Sequence, residues 1–161
     1  MTDFLRHCTG GHERKIAAGE NLLEEGHGTG HLYILLEGRL EVIKAGATVA
    51  LVSEPGALFG EMSLLLEQPH TATVRAAADC RIYEILDARR FLAENPEATL
   101  SIARMLAQRL NVANTYLADL KRQYAGHGTH LSMVGEVLQS MINLPPQPVS
   151  PGTDLESDPR L

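Results

Sequence analysis

The sequence predicts an α+β fold, an antiparallel β-roll of jelly-roll type followed by helices, from three observations. Residues 13–87 hold short stretches of alternating apolar and β-branched residues. Glycines interrupt these stretches at turn positions, and beyond residue 87 the apolar spacing changes to that of helices. Short strands separated by tight turns are typical of rolls and barrels. The glycines are Gly26, Gly28, Gly30, Gly38, Gly46, Gly56 and Gly60.

The first elements are a short N-terminal helix and a series of strands. Residues 1–9 are predicted to be helical, and Gly10-Gly11 ends that helix because glycine does not sustain one. The strands follow from alternation along HLYILLEGRLEVIKAGATVALV and later along TATVRA and CRIYEI. These predicted strands lie within residues 31–52, 71–76 and 80–85, with turns at Glu37-Gly38 and Ala45-Gly46.

Two helices follow the last strand. Asp87 is a good N-cap for the segment DARRFLAEN, because its side chain can accept from a free backbone amide. Asn95, Pro96 and Glu97 form a second helix start, with a cap, a proline in the first position and an acid in the first turn. This helix is predicted to run from about residue 96 to Tyr124.

The long helix carries two apolar faces. One face is a coiled-coil stripe with alternating spacings of four and three, which predicts a homodimer through residues 102–124. The alternative is that this stripe packs on the same chain's barrel, but the second apolar face is also suited to that task. The stripe is Leu106, Leu110, Ala113, Leu117, Leu120 and Tyr124; the second face is Ile102, Met105, Val112 and Tyr116.

The C-terminal residues divide into a helix and a tail. Residues 126–144 are predicted to hold a short helix capped by Thr129, which needs a surface to pack on because short helices are marginal in water. Residues 145–161 are rich in proline, acidic and without aromatics, so they are predicted to be disordered. The main domain is therefore expected to be residues 1–125.

The composition is that of an ordinary soluble globular domain. The chain has 161 residues, of which 44% are hydrophobic and 21% charged. Its net charge of −6 argues against duplex DNA, whose phosphates need a basic surface. No apolar run spans a membrane and no signal core is present, so a cytoplasmic location is expected. Cys8 and Cys80 are expected to be reduced thiols, and His7, Cys8 and His12 to be surface residues rather than a metal site.

The chemistry is concentrated in GALFGEMSLLLEQPHTATVRA, residues 56–76. Gly60 permits a close backbone approach, and EMSLLL can form one helical turn whose first amides are free to bind an anion. Thr71 adds a hydroxyl from the strand that follows. Glu61 would repel a phosphate, but it can accept from the hydroxyls of a sugar. These residues predict a pocket for a sugar phosphate.

This segment resembles the phosphate-binding cassette of cyclic nucleotide-binding domains, which occur in catabolite activator proteins, kinase regulatory subunits and cyclic-nucleotide-gated channels. The chain has FGEMSLL followed by HTATV where that family has FGE, a hydrophobic turn and R-(S/T/A)-A-x-V. Upstream, NLLEEGHGTGHLYILLEGRLEVI is similar to the family's strands, and the long helix QRLNVANTYLADL also corresponds. The resemblance covers residues 13–125.

The resemblance implies a role for each matching residue. Glu61 would accept from the ribose 2′-hydroxyl, the backbone of Gly60, Met62 and Ser63 would line the sugar-phosphate edge, and Thr71 would donate to the cyclic phosphate. On the long helix, Asn114 is implied to contact the base.

His70 departs from the family pattern, which has arginine there. Arginine is a permanent cation with two parallel donors, whereas histidine offers at most one donor and is charged for part of the time near neutral pH. Arg75 is not expected to replace it, because it lies five positions further along a strand, and an odd offset places it on the opposite face.

The leading hypothesis is a stand-alone regulatory sensor that binds cAMP or cGMP and acts on an unknown effector protein, with no other cofactor. The alternative is a degenerate domain that keeps the fold for dimerisation or docking without a ligand. A transcription factor is disfavoured, because the residues after the long helix are too few for a helix-turn-helix and its support. An enzyme is disfavoured, because the sequence has no catalytic triad, phosphate loop or metal cluster.

Overall fold

The computed structural model of the protein describes Phe4 and residues 10–123. Within these residues it confirms the predicted fold class: antiparallel sheets followed by helices. The chain divides into two compact units, residues 1–107 and residues 108–161. The predicted C-terminal helix, the tail, His7 and Cys8 lie outside the described residues, as does the N-terminal helix apart from Phe4.

Eight strands and three helices are present in the described residues. The strands are β1 (His12–Ile16), β2 (Asn21–Leu23), β3 (Leu32–Glu37), β4 (Leu40–Lys44), β5 (Ala47–Val52), β6 (Leu58–Phe59), β7 (Thr73–Ala76) and β8 (Cys80–Ile85). The helices are α1 (Glu61–Leu66), α2 (Ala88–Glu94) and α3 (Pro96–Gln123).

The strands form two four-stranded antiparallel sheets. One sheet has the order β1-β8-β3-β6 and the other has the order β2-β7-β4-β5. The predicted turn between β4 and β5 is confirmed: Ala45 has φ 49° and Gly46 has φ 80°, as a two-residue hairpin turn with two positive φ angles requires. Strands that pair are not always neighbours in the sequence: β1, the first strand, pairs with β8, the last.

Strand β3 shows how the core is built, because alternate residues on it enter different clusters. Tyr33 and Leu35 belong to the cluster between the two sheets, while Leu32 and Ile34 belong to the cluster under the helices. Side chains alternate between the faces of a strand, so a strand covered on both sides is apolar throughout. The helix-side cluster is completed by Leu58, Ile85, Ala88, Phe91, Ala98 and Ile102.

The starts of α2 and α3 differ from each other. The Asp87 side chain accepts from the Arg90 backbone amide at 3.2 Å, which confirms its predicted cap. The predicted side-chain cap at Asn95 is wrong. Its Nδ2 donates instead to the Phe91 carbonyl at 2.8 Å and closes α2, while its own carbonyl accepts from the Thr99 amide at 3.1 Å.

Helix α3 is buried only over its first turns. Ile102 is buried, and Met105 and Leu106 pack against the helix-side cluster. Val112 and Tyr116 are 70% and 63% exposed, so the expectation that they share the domain-facing role of Ile102 is wrong. Ten residues also place Val112 about 15 Å further along the helix axis than Ile102.

The described helices do not include one that is long and apolar enough to cross a membrane.

Candidate functional site

The predicted site begins at Gly60, which joins β6 to α1. Gly60 has φ 90°, and a Cβ built on it would lie 2.5 Å from the carbonyl oxygen of His31. Both the backbone angle and the close approach therefore require glycine. As the sequence predicts, EMSLLL forms the short helix α1 directly after this residue.

Glu61 is buried, with 4% of its surface exposed, in the first turn of α1. A carboxylate there is favoured by the helix dipole. Met62 is 47% exposed and Ser63 is half-buried. The Ser63 hydroxyl donates to the Gln68 carbonyl at 2.5 Å, and the Ser63 carbonyl accepts from the Gln68 amide at 3.1 Å. Ser63 therefore uses its side chain to close α1, and its predicted role at the ligand is a backbone one.

His70 fastens the end of the cassette to the loop before β3. Its amide donates to the His27 carbonyl at 2.7 Å, and its carbonyl accepts from the Gly26 amide at 2.8 Å. The imidazole is buried, at 5% exposure, and its Nε2 lies 3.2 Å from Thr29 Oγ1. Burial lowers the pKa of His70, and the charge of His27 lowers that pKa further.

Thr71 is exposed and lies in a bend, because β7 begins two residues later at Thr73. The expectation that Thr71 belongs to this strand is wrong. The hydroxyl of Thr73 accepts from the Glu25 amide at 3.0 Å, which ties the strand start to the 24–30 loop and leaves Thr71 before the ladder. Thr71 still follows His70 directly in the chain, as the predicted site requires.

Arg75 is engaged elsewhere. Its Nε donates to Glu41 Oε1 at 2.6 Å across β7 and β4, and its side chain is 44% exposed. This ion pair lowers the pKa of Glu41. Arg75 therefore contacts an acid on the outer face of its sheet, in agreement with the prediction that it does not replace the family arginine.

Asn114 lies on α3 in the second unit, residues 108–161. Its side-chain oxygen is buried and finds no hydrogen-bond partner among the described residues. An unsatisfied buried carbonyl is uncommon in folded proteins. The assignment of Asn114 to the base remains a prediction.

A group of polar residues on the first sheet was missed by sequence reasoning. The register places His12 and Tyr33 on either side of Glu84, which is 5% exposed. Glu84 Oε2 lies 3.3 Å from His12 Nε2, and Glu84 Oε1 lies 3.3 Å from His31 Nδ1 and 3.7 Å from Arg14. A lone acid inside the apolar strand CRIYEI was the signal that could have indicated it.

No group of three or more histidine, cysteine or acidic side chains in the described part of the chain is arranged to hold a metal ion.

Comparisons with known proteins agree with this geometry. The profile of the family described as Cyclic nucleotide-binding domain matches residues 13–93, half of the chain. A cAMP-dependent protein kinase regulatory subunit of Yarrowia lipolytica is 36% identical over 73 residues, which are 45% of this chain and 19% of that protein. A CRP-like cAMP-activated global transcriptional regulator of Mycobacterium tuberculosis is 29% identical over 108 residues, 63% of this chain and 48% of the regulator.

The fold comparison gives the same result. The crystal structure of the Thermus thermophilus catabolite activator protein aligns with a TM-score of 0.61 at 23% identity, over 87% of this chain and 79% of that one. At this identity the likeness concerns the fold. The chain spans half or less of the length of the two curated relatives described above.

Proposed function

Because this chain belongs to the cyclic nucleotide-binding domain family, we propose that it is a regulatory module that binds cAMP or cGMP and signals to a partner protein through its C-terminal helices. The observation that carries the proposal is the Gly60–Glu61 turn with helix α1, inside the segment that matches the family. Relatives named for both nucleotides match the chain, among them a cGMP-dependent protein kinase of Drosophila melanogaster at 25% identity over 135 residues. Thr71 offers a hydroxyl that suits either nucleotide.

The proposed ligand roles are those implied by the family resemblance, and the burial of two residues supports them. Glu61, buried at the start of α1, would accept from the ribose 2′-hydroxyl. The backbone of Gly60, Met62 and Ser63 would line the sugar-phosphate edge. Thr71 is exposed, so its hydroxyl is accessible to the cyclic phosphate.

With histidine in place of arginine at residue 70, the site would bind the phosphate more weakly. A hydrogen bond to a charged group contributes about 1.5–3 kcal/mol, so its loss weakens binding by roughly ten- to a hundred-fold. Because burial lowers the His70 pKa, the charged form is scarce at neutral pH. A bound phosphate raises that pKa, so affinity is expected to increase as the pH falls from 8 to 6.

A second function is favoured by one observation: the ring of His70 is already buried against Thr29. A side chain used in this way supports a docking or dimerisation module that keeps the fold and binds no nucleotide. Retention of Gly60, Glu61 and Thr71 together supports the first function instead.

Calorimetry with purified protein separates these two functions. The sensor is expected to bind cAMP or cGMP with micromolar or better affinity, and His70→Arg is expected to bind more tightly. Glu61→Gln serves as the matched variant for weaker binding, because at constant size it removes the negative charge and replaces one of the two acceptor oxygens with a donor. No heat from either nucleotide at millimolar concentration, in the wild type and in His70→Arg alike, would leave the docking module as the function.

A further inference from the structure

The β2–β3 loop, residues 24–31, packs against the start of the predicted nucleotide cassette, residues 60–71. A Cβ built on Gly60 would lie 2.5 Å from the His31 carbonyl oxygen. An approach this close leaves no room for a side chain between the two backbones. The position of the β2–β3 loop therefore determines where helix α1 begins.

The same loop is hydrogen-bonded to the other end of the cassette. The His70 amide donates to the His27 carbonyl at 2.7 Å, and the Gly26 amide donates to the His70 carbonyl at 2.8 Å. Both bonds join backbone groups, so they fix the path of the chain at His70 whatever its side chain does. The β2–β3 loop thus connects the two ends of the cassette, and its shape sets their separation.

The β2–β3 loop is too rich in glycine to hold this shape by itself. Three of its eight residues are glycines, and Gly26 and Gly30 have φ angles of 83° and 71°. Glycine loses more backbone freedom on folding than any other residue, so a segment of this composition needs contacts with its surroundings to keep one shape.

Glu25 supplies two such contacts, one from its backbone and one from its side chain. Its amide donates to the Thr73 hydroxyl, at the start of β7, at 3.0 Å. Its Oε2 accepts from the Ala45 amide at 3.1 Å. Ala45 lies in the β4–β5 turn, past the last ladder pair, which joins Lys44 to Ala47. Because β4 and β7 are neighbours in one sheet, Glu25 attaches the loop to a single frame at two points.

The neighbouring acid, Glu24, has a different role. Its Oε1 accepts from the Asn21 side-chain amide at 3.2 Å, and its Oε2 lies 3.8 Å from His27 Nδ1. These contacts stay within β2 and the β2–β3 loop, so they do not attach the loop to another part of the sheet. Glu24 and Glu25 are both exposed, which makes the first a suitable control for the second.

We propose that Glu25 is a positioning residue for the nucleotide site, because it holds the β2–β3 loop in the shape that sets the separation of Glu61 from Thr71. Glu61 and Thr71 directly follow the two ends that the loop contacts. In the proposed function they bind the ribose hydroxyl and the cyclic phosphate of one ligand, and binding is tighter when such contacts are already at the right distance. The ligand part of this inference rests on the proposed function.

Amide hydrogen exchange of the full chain without nucleotide tests the anchor. The reporters are the amides of Gly26 and His70, which bond between the loop and the cassette. The reference is the buried Leu35, whose amide donates to the Ala57 carbonyl at 2.9 Å. Glu25→Ala is expected to speed exchange of both reporters by about two- to tenfold, the equivalent of one net hydrogen bond. Exchange at Leu35 is expected to stay the same, because the opening is local.

Three further variants separate the hydrogen bond from other effects. Glu25→Gln removes the same charge but keeps an oxygen that can accept from the Ala45 amide, so it is expected to show wild-type exchange. Thr73→Val removes the other anchor at nearly constant shape and is expected to behave like Glu25→Ala. Glu24→Ala is the matched control and is expected to leave both reporters unchanged.

Calorimetry with cAMP and with cGMP tests the consequence for the ligand. Glu25→Ala and Thr73→Val are expected to bind the preferred nucleotide about two- to tenfold more weakly than the wild type. Glu25→Gln and Glu24→Ala are expected to bind it as the wild type does. A residue that only stabilised the fold would not produce this rescue by glutamine together with exchange confined to the loop and the cassette.

Unchanged exchange at Gly26 and His70 in Glu25→Ala would overturn the proposal. Equal acceleration at Leu35 would do so too, because the effect would then be global. A Glu25→Gln variant as impaired as Glu25→Ala would also overturn it, since the charge and not the bond would then be responsible.

The two parts of the proposal fail separately. Faster exchange with unchanged affinity would overturn the ligand part, because the cassette would then be held by Glu25 without consequence for binding. If neither nucleotide binds to the wild type or to any variant, the proposed function and the ligand part both fail. The exchange measurements still decide in that case whether Glu25 holds the loop against the cassette.

Discussion

Gly60→Ala is the sharpest test of the geometry at the start of α1. Gly60 has φ 90°, and a left-handed backbone angle costs a residue with a Cβ about 1–2 kcal/mol. The new methyl carbon would also lie 2.5 Å from the His31 carbonyl oxygen, which is backbone and cannot rotate away. Overpacking of this kind costs about a further 1–3 kcal/mol. The expected loss in the free energy of unfolding is therefore about 2–5 kcal/mol.

Gly46→Ala is the matched control. Gly46 has φ 80°, but nothing lies within 4 Å of a Cβ built there. The control thus carries the backbone cost of about 1–2 kcal/mol without the contact. Urea denaturation of both variants measures the difference, with the slope compared to confirm that the unfolding transition is unchanged.

The reasoning is refuted if the two variants lose the same stability, because the approach of His31 would then have no cost. It is also refuted if Gly60→Ala is the more stable of the two. The His31 amide donates to Thr29 Oγ1, which lies 3.2 Å from His70 Nε2, so a shifted His31 in Gly60→Ala is also expected to alter the His70 NMR signals.

Three further predictions concern other parts of the chain. Asp87→Ala removes the cap of α2 and is expected to cost about 1 kcal/mol in urea denaturation; an unchanged midpoint contradicts the cap. The folded-state pKa of His70 is lowered, so its neutral form stabilises the fold above about pH 6.5, and that stability is lost as the pH falls. The free energy of unfolding should then fall from pH 7.5 to 5.5 by more in the wild type than in His70→Asn. Leu117→Glu, on the predicted stripe of α3, is expected to give a monomer in light scattering, while Val112→Glu, 70% exposed, leaves the dimer intact; equal masses contradict the stripe.

Local signals carried most of the fold prediction. The alternation in LYILLE and LEVIK and the Ala45-Gly46 turn depend on neighbours in the sequence, so β3, β4 and β5 could be predicted. Helix α3 begins at Pro96, as the Asn95-Pro96-Glu97 signal predicts. The burial of Val112 and Tyr116 was predicted wrongly, because angle around a helix is a local property and the extent of the core along its axis is not.

Only the local part of the candidate site could be predicted from the sequence, because the rest depends on contacts between distant segments. Gly60, Glu61 and α1 follow one another, so a single segment defines them. The partners of His70 come from the 26–29 loop, and Glu84 meets Tyr33 and His12 through the registers of β3 and β1 with β8. Registers depend on the packing of whole sheets, which no short segment of the sequence specifies.

The backbone bonds of His70 decide how its side chain can be tested. Its amide and carbonyl bond His27 and Gly26, at 2.7 and 2.8 Å, and both bonds are independent of the side chain. A substitution at residue 70 therefore keeps the loop fastened to the cassette. The side-chain partner it abandons is Thr29, an exposed residue whose hydroxyl water can satisfy.

His70→Arg is consequently expected to fold, with a loss of about 1.5 kcal/mol or less in the free energy of unfolding, the net value of a typical hydrogen bond. A larger loss in thermal or urea denaturation would mean that the imidazole itself holds the loop. That result would remove His70→Arg as a test of ligand binding. A small loss joined to tighter nucleotide binding would show that the pocket around Gly60, Glu61 and Thr71 is intact and that its affinity is limited by the histidine.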